Sequence, residues 1–134
     1  MEAKIDLIGI ITSKFEEMLL FYRDVLGFKV KLKLDNYIEF ENPGVRFAIS
    51  THKVMADATG HESFTQDKKG HSFELAFSVP TPSEVDTVYD EIVKKGAIPI
   101  KSPEDMPWNQ RAAFFADPDG NIHEIFADLP KADS

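Results

Sequence analysis

The sequence predicts an α+β fold built from two consecutive βαβββ modules. Short strand-like runs are interrupted by two segments with apolar residues at helical spacing. The second half repeats the order of the first after roughly 60 residues, which is the mark of an internal repeat. Neither half could bury both faces of its own sheet, so we expect the two modules to pair.

The first module begins with a strand and a helix. Residues 5–11 form a compact β-rich run, and Ser13 and Glu16 then frame a Ser-x-x-Glu capping box. Gly27 marks the predicted end of the helix. The apolar stripe of this helix consists of Phe15, Met18, Leu19, Tyr22, Val25 and Leu26.

Three strand candidates and a polar segment complete the first half. The strand candidates are residues 28–34, 37–40 and 45–50. Residues 51–70 are polar without a clear period, so we interpret them as a linker, a lid or both. We therefore predict one domain over residues 1–134, with module one at about 4–52, a linker at about 53–70 and module two at about 71–129.

The second module repeats the pattern. A strand is predicted at residues 72–79, and a helix opens near Ser83 with a similar cap and ends at Gly96. Residues 117–121, Asp-Pro-Asp-Gly-Asn, predict a tight turn between the last two strands. The remaining strand candidates are residues 97–100, 111–116 and 122–127.

Composition excludes several kinds of protein. The 134-residue chain contains no cysteine, which excludes disulfides, thiol catalysis and thiolate metal sites. Its net charge of −8 argues against nucleic-acid binding, which needs clustered basic residues. No apolar run reaches the roughly 18–20 residues of a membrane span, and the N-terminus does not resemble a signal peptide. We therefore expect a cytoplasmic protein with no nucleic-acid or membrane partner.

Two motifs and one strand carry a family resemblance. The motifs are residues 21–28, Phe-Tyr-Arg-Asp-Val-Leu-Gly-Phe, and residues 117–125, ending in Ile-His-Glu-Ile; the strand is residues 73–79. With these features in order within a repeat, the chain resembles the vicinal oxygen chelate superfamily of glyoxalases, bleomycin-resistance proteins and extradiol dioxygenases. The resemblance implies curved mixed sheets around a cavity, a small-molecule ligand and a homodimer.

Metal-using members of this family bind a divalent ion through four inward side chains, from the first and last strand of each module. In the second module the matching positions are Glu74 and Glu124, which are candidate metal ligands and catalytic carboxylates. In the first module the matching positions are Leu7 and Ala48, which have no ligand atom. A two-residue slip at Leu7 would substitute Ile5 or Gly9, again without a ligand. Half of the family's ligand set is therefore missing.

The missing ligands bear on the cofactor. Two carboxylates without an imidazole make a poor Zn²⁺ or Fe²⁺ site, whereas a harder ion such as Mg²⁺ or Mn²⁺ stays open. Two like charges about 4 Å apart repel by about 4 kcal/mol at an effective dielectric constant near 20. Glu74 and Glu124 must therefore lie further apart, share a proton or pair with a cation, for which Arg46 and Arg111 are candidates.

Other side chains are candidates for shaping a ligand site. Trp108 lies in a loop before a strand and suits a planar or cationic ligand, or else caps the edge of the core. Tyr37 and Glu39 share one face of a strand and are candidates for the cavity wall. His123 has the opposite parity to Glu124 and is expected to point towards the helix or solvent. Residues in or beside the linker that could close over a ligand are His52, His61, Phe64 and His71.

Two functions remain open from the sequence. The first is a metal-independent protein that binds a planar or amphipathic small molecule, with Trp108, Arg111, Arg46, Tyr37, Leu7 and Ala48 as candidate ligand-binding residues. The second is a lyase, isomerase or dioxygenase that uses Glu124, with or without Glu74, as base or metal ligand. No cofactor follows from the residues with certainty, and a divalent metal ion stays open.

Overall fold

The computed structural model describes residues 1–67 and 70–131. The chain divides into two compact units, Met1–Lys69 and Gly70–Ser134, and each contains one four-stranded mixed sheet with helices. This arrangement confirms the predicted α+β fold of two βαβββ modules. Residues 68 and 69 of the predicted linker lie outside the described residues.

The first unit follows the predicted order of elements. Its sheet has the strand order β1-β4-β3-β2, in which β1 pairs parallel with β4 and the other pairs are antiparallel. A π-helical turn, Phe21–Val25, extends the first helix towards Gly27. The elements are β1 (Leu7–Thr12), α1 (Phe15–Leu20), β2 (Val30–Lys33), β3 (Tyr37–Phe40) and β4 (Arg46–Thr51).

An aromatic cluster fixes which face of this sheet is covered by its helix. The ring of Tyr22 lies 5.3 Å from that of Phe47 and 6.2 Å from that of Phe40, and Phe28 lies 5.3 Å from Phe47. Because side chains alternate along a strand, Glu39 on β3 is directed to the opposite face of the sheet. We call this opposite side the open face of the sheet.

The predicted capping boxes are wrong. Lys14, not Ser13, is the N-cap of α1, and no side chain caps that helix; instead Thr12 Oγ1 accepts a hydrogen bond from the amide of Lys14 at 2.9 Å. In the second unit Thr81 is the N-cap, and Pro82 occupies the first turn without a capping side chain. Proline is suited to this position because its missing N–H would have no helical partner.

The polar segment after β4 contains a helix that the sequence pattern did not predict. This helix, α2 (His52–Thr59), is followed by a short 3₁₀ helix (Glu62–Thr65). The side chain of Thr51 caps α2 by accepting a hydrogen bond from the Val54 amide at 3.1 Å, and Gly60 ends it with a φ of +66°. No residue of α2 is buried, so it lacks the apolar stripe on which a helix prediction depends.

The second unit repeats the topology with different strand lengths. Its strand order is β5-β8-β7-β6, with β5 parallel to β8. The first strand is shorter than the predicted 72–79, and β6 continues six residues beyond the predicted end at residue 100. The elements are β5 (Ala76–Ser78), α3 (Pro82–Lys94), β6 (Ile98–Met106), β7 (Gln110–Ala116) and β8 (Ile122–Asp128).

The length of β6 reflects its place at the sheet edge. Its pairing with β7 shifts register twice, between Pro99 and Lys101 and between Lys101 and Glu104. Most of its residues are exposed, so its second half needs no apolar pattern. An edge strand with bulges and charged side chains is difficult to recognise from hydrophobicity.

The core of the second unit lies between α3 and one face of β7 and β8. Val85 of α3 is fully buried there, as are Ala113, Phe115 and His123. Glu124 follows His123 on β8 and is therefore directed to the other, open face of this sheet. In the described part of the chain, no helix is long and apolar enough to cross a membrane.

Candidate functional site

The carboxylates Glu124 and Glu74 meet at the start of the parallel β5–β8 pair. Glu124 stands opposite Ala76 on β5 and Phe114 on β7, and its side chain is 9% exposed. Its amide donates a hydrogen bond to the carbonyl of Leu75 at 2.9 Å. Glu74 lies just before β5 and is exposed. The backbone pairing therefore brings the two carboxyl groups together.

The electrostatics of this pair favour a proton on Glu124. Burial is the largest cause that raises the pKa of Glu124 above its ordinary value, followed by the negative charge of Glu74 and a hydrogen bond with Glu74. A hydrogen bond between two carboxyl groups requires a proton on one of them, and burial makes Glu124 the group whose protonated form is favoured. Such a carboxyl can accept or release a proton closer to neutral pH than an ordinary glutamate.

His123 lies behind Glu124 rather than beside it. The ring is fully buried, and its Nδ1 accepts a hydrogen bond from the amide of Leu75 at 3.1 Å. Its Nε2 lies 3.5 Å from an Oδ2 of the equally buried Asp117. The ring also lies 5.8 Å from Phe115, so His123 occupies the core side, as its parity indicated.

The registers of the two parallel strand pairs define equivalent positions. In unit two, Ala76 pairs with Glu124, and Glu74 stands two residues before Ala76. In unit one, Gly9 pairs with Ala48, and the residue two positions before Gly9 is Leu7. Because the two pairs have the same geometry, Leu7 and Ala48 are the counterparts of Glu74 and Glu124. The strand register therefore identifies Leu7, rather than Ile5 or Gly9, as the counterpart of Glu74.

These counterparts offer only hydrocarbon. Leu7 is 40% exposed, whereas Ala48 is buried. Among the described residues, no group of three or more histidine, cysteine, aspartate or glutamate side chains is arranged to hold a metal ion. The residues therefore do not fit the four-ligand set that the resemblance implies. Glu74 and Glu124 remain candidate ligands as a pair, and no reaction step is assigned to a metal ion.

A second polar cluster lies on the open face of the first sheet and centres on Glu39. Its carboxylate accepts hydrogen bonds from Arg46 Nη2 at 2.6 Å, from Arg46 Nε at 3.2 Å to each oxygen, and from the Tyr37 hydroxyl at 2.9 Å. Lys31 Nζ lies 3.6 Å from the other oxygen. Sequence reasoning placed Tyr37, Glu39 and Arg46 on strand faces and treated Lys31 as part of the basic stretch 29–33, a solvent-facing strand face or a phosphate contact. The register shift in β2 between Val30 and Leu32 places Lys31 beside Glu39.

The pKa values in this cluster follow from the contacts. Hydrogen bonds from Arg46 lower the pKa of Glu39 to about 2, against the opposing effect of burial and with further help from Tyr37. Burial, followed by the hydrogen bond to Glu39, raises the pKa of Tyr37. Glu39 is therefore a stable anion and Tyr37 a neutral donor, and neither is suited to act as a base at neutral pH.

The two arginines that were candidates for neutralising Glu74 and Glu124 have other partners. Arg46 pairs with Glu39, as described above. Arg111 forms ion pairs at 3.0 Å with Asp86 of α3 and with Asp105 of β6. It thus lies on the helix side of the second sheet, because Ala112 and Phe114 are the β7 residues that share a face with Glu124. Arg111 was a candidate partner of Glu74 and Glu124, but its ion pairs are with Asp86 and Asp105, on the face opposite to Glu124.

Trp108 lies at the tip of the β6–β7 hairpin. Its side chain is 55% exposed, so it does not cap the core, and the next residue, Asn109, has a φ of +62°. The carbonyl of Asn109 accepts a hydrogen bond from the Leu129 amide at 3.1 Å, which ties the hairpin to the end of β8. The indole is therefore presented to solvent on an anchored turn.

The aromatic and histidine residues after β4 have mostly local partners. His52 Nδ1 lies 3.1 Å from the carbonyl of Phe64, which joins α2 to the 3₁₀ helix. His61 Nδ1 lies 2.8 Å from the Ser63 hydroxyl and caps the same short helix. His71 is exposed. These contacts give the two inner histidines a structural role in the segment.

Comparison with known proteins identifies the family. Residues 4–125 match the model of the Glyoxalase/Bleomycin resistance protein/Dioxygenase superfamily. The chain belongs to this superfamily, which confirms the resemblance drawn from the sequence.

Individual relatives agree with this assignment. The chain is 32% identical over 124 residues to the uncharacterized protein YraH of Bacillus subtilis, covering 89% of this chain and 94% of that protein. It is 24% identical over 113 residues to the metallothiol transferase FosB of Lysinibacillus sphaericus, covering 84% and 74%. A crystal structure of a glyoxalase/bleomycin resistance protein/dioxygenase from Nocardioides has a TM-score of 0.87 at 27% identity, covering 98% of this chain and 87% of that chain.

Proposed function

We propose that the protein binds a small organic molecule without the full set of metal ligands of its family. The observation that supports this most directly is the register equivalence of Leu7 with Glu74 and of Ala48 with Glu124. Hydrocarbon at two of the four ligand positions leaves Glu74 and Glu124 as the two candidate ligands of that set. Ligand sites are mostly apolar with a few polar groups that fix the orientation of the ligand.

Two further features support a binding role. Trp108 offers a half-exposed indole suited to stacking on a planar ligand. Glu124 offers a buried carboxyl that can donate a hydrogen bond when it is protonated. Together they would favour a ligand with a flat apolar body and a hydrogen-bond acceptor.

The binding function can be tested with the protein's own reporter, because Trp108 is its single tryptophan. A broad library of planar and amphipathic compounds is screened by thermal shift, and hits are titrated by tryptophan fluorescence. Trp108→Ala and Glu74→Gln should both weaken binding of the hits. Because Trp108→Ala has no tryptophan, its binding is measured by thermal shift. Glu91→Gln, an exposed carboxylate on α3, is the matched control and should not weaken binding. Hits whose affinity is unchanged in both test variants would refute this site.

A second candidate function is an enzyme that uses Glu124 as a general base, with or without Glu74. The specific observation in its favour is the raised pKa of Glu124, which brings its proton transfer closer to neutral pH. A lyase, isomerase or dioxygenase of the superfamily type would use this carboxyl either directly or as a metal ligand.

Metal content separates the two forms of this enzyme. Elemental analysis of protein purified without chelator, with Glu124→Gln as control, should show a divalent ion only in the wild type if Glu124 is a ligand. Equal metal contents in wild type and Glu124→Gln would refute the hypothesis of an enzyme in which Glu124 is a metal ligand. A metal-free proton-transfer enzyme would instead lose turnover in Glu124→Gln at unchanged metal content.

We also propose that the chain forms a homodimer, as the family resemblance implies.

A further inference from the structure

The cluster on the open face of the first sheet has more positive than negative charge. Arg46 and Lys31 provide two cations and Glu39 provides one carboxylate, which leaves one positive charge in excess. The Glu39 side chain is only 4% exposed, whereas those of Arg46 and Lys31 are 56% and 59% exposed. The carboxylate therefore lies beneath two cations that reach solvent.

Glu39 holds the guanidinium of Arg46 in a fixed orientation. The contacts use Nε and Nη2, so one edge of the planar group faces the carboxylate. Nη1 takes no part in the hydrogen bonds to Glu39, and the Arg46 side chain is 56% exposed, so the guanidinium has N–H donors that these bonds do not use. A guanidinium that is already oriented loses less conformational freedom when it binds a second oxyanion.

Neutralising Glu39 does not require Lys31. One guanidinium with three contacts below 3.5 Å already matches the single negative charge, and the Tyr37 hydroxyl adds a neutral donor. The ammonium of Lys31 lies at the longer distance of 3.6 Å and is more exposed than its partner. It therefore supplies the excess charge, in a chain where acidic residues outnumber basic ones by 23 to 15.

We propose that Arg46 and Lys31 form a binding site for an oxyanion group, a carboxylate or a phosphate, of the small-molecule ligand. The inference rests on the proposed binding function and narrows it to organic anions. Leu7 pairs in register with Arg46 and is 40% exposed, so hydrocarbon that reaches solvent lies beside the charges. An anion with an apolar body would contact both kinds of surface.

The experiment follows the Arg46 side chain by ¹⁵N NMR in the full-length protein. Inorganic phosphate is titrated at constant ionic strength, with chloride in the matched series. We expect a saturable shift of the Arg46 guanidinium signal with phosphate that chloride does not produce. A non-saturable shift, or equal shifts in the two series, would overturn the proposal.

Two lysine variants separate a specific site from general attraction. Lys31→Gln should weaken phosphate binding about two- to fivefold, the effect expected from losing one exposed ionic contact. Lys33→Gln removes a charge from the same strand at a position that pairs with the core residue Ile38 and should leave the affinity unchanged. Equal weakening in both variants would show only long-range electrostatics and would contradict the site.

A pair of organic probes distinguishes this proposal from the binding function on which it rests. 2-Naphthoate should shift the Arg46 signal saturably, and 2-naphthamide, its uncharged analogue, should bind more weakly. Uncharged library compounds that bind while phosphate and naphthoate leave Arg46 unshifted would overturn the oxyanion site and leave the binding function intact. A phosphate response without any organic ligand would support the oxyanion site and refute the wider function.

Discussion

The amide of Leu75 donates a hydrogen bond to Nδ1 of His123 at 3.1 Å, across 48 residues of sequence. Since Nδ1 accepts, the neutral ring carries its proton on Nε2, which faces Asp117 at 3.5 Å. The carbonyl of Leu75 also accepts from the Glu124 amide. Both backbone groups of Leu75, the residue after Glu74, are thus hydrogen-bonded to β8, and one of these bonds depends on a buried histidine behind the sheet.

Replacing this histidine by an aromatic ring without an acceptor should destabilise the protein. In His123→Phe the Leu75 amide loses its partner, so we expect the free energy of unfolding to fall by about 1–3 kcal/mol. Urea denaturation followed by circular dichroism measures the change. His71→Phe, at an exposed position, is the control and should have a much smaller effect. Equal stabilities of wild type and His123→Phe would show that the hydrogen bond is not important.

The raised pKa of Glu124 should respond only in part to the removal of Glu74. Burial is the largest cause of the shift, so Glu74→Gln should lower the pKa of Glu124 but leave it above the ordinary value. Carboxyl ¹³C NMR titration of both proteins measures the two values. A pKa that returns to the ordinary value would show that Glu74, rather than burial, dominates.

Glu124 should also make stability depend on pH in a defined direction. A carboxyl whose pKa is raised in the folded state stabilises the fold at low pH, and this contribution is lost as pH rises through the folded pKa. Glu124→Gln removes the buried charge, so its stability relative to wild type should improve as pH rises above 4.5, the ordinary pKa of glutamate. Thermal melts across this range provide the measurement, and a relative stability that falls with pH would contradict the assignment.

Glu39 should have the opposite dependence. Its pKa falls from 4.5 to about 2 on folding, so its contribution to stability is complete above pH 4.5 and is lost as pH falls towards 2. The stability difference between wild type and Glu39→Gln should therefore narrow over this acid range. Chemical denaturation at several pH values measures it, with the exposed Glu17→Gln as control. If the stability difference between wild type and Glu39→Gln does not change with pH, the Arg46–Glu39 ion pair is not its cause.

The proposed homodimer can be tested by measuring the molar mass of the protein in solution. Size-exclusion chromatography with light scattering should give twice the 15.1 kDa of one chain at micromolar concentrations. A chain that elutes with the mass of one copy over the whole concentration range would refute the proposed dimer.

Much of the fold was accessible from the sequence because local patterns reflect burial. The predicted third strand, residues 37–40, coincides with β3, and parity correctly separated Glu124 from the core-facing His123. Both results depend on the two-residue alternation of a strand, which is a local property. The helix His52–Thr59 escaped detection because it has no buried face, and only Thr51 and Gly60 at its ends signal it.

The sequence by itself determined the repeat, the family and the hydrocarbon at Leu7 and Ala48, because motif spacing and side-chain chemistry are written in the chain. Only the tertiary structure decided the partners of the charges: Arg46 binds Glu39, Arg111 binds Asp86 and Asp105, and Glu124 lies beside Glu74. An ion pair depends on strand register and on bulges such as the one that admits Lys31, and both are set by pairing between distant segments.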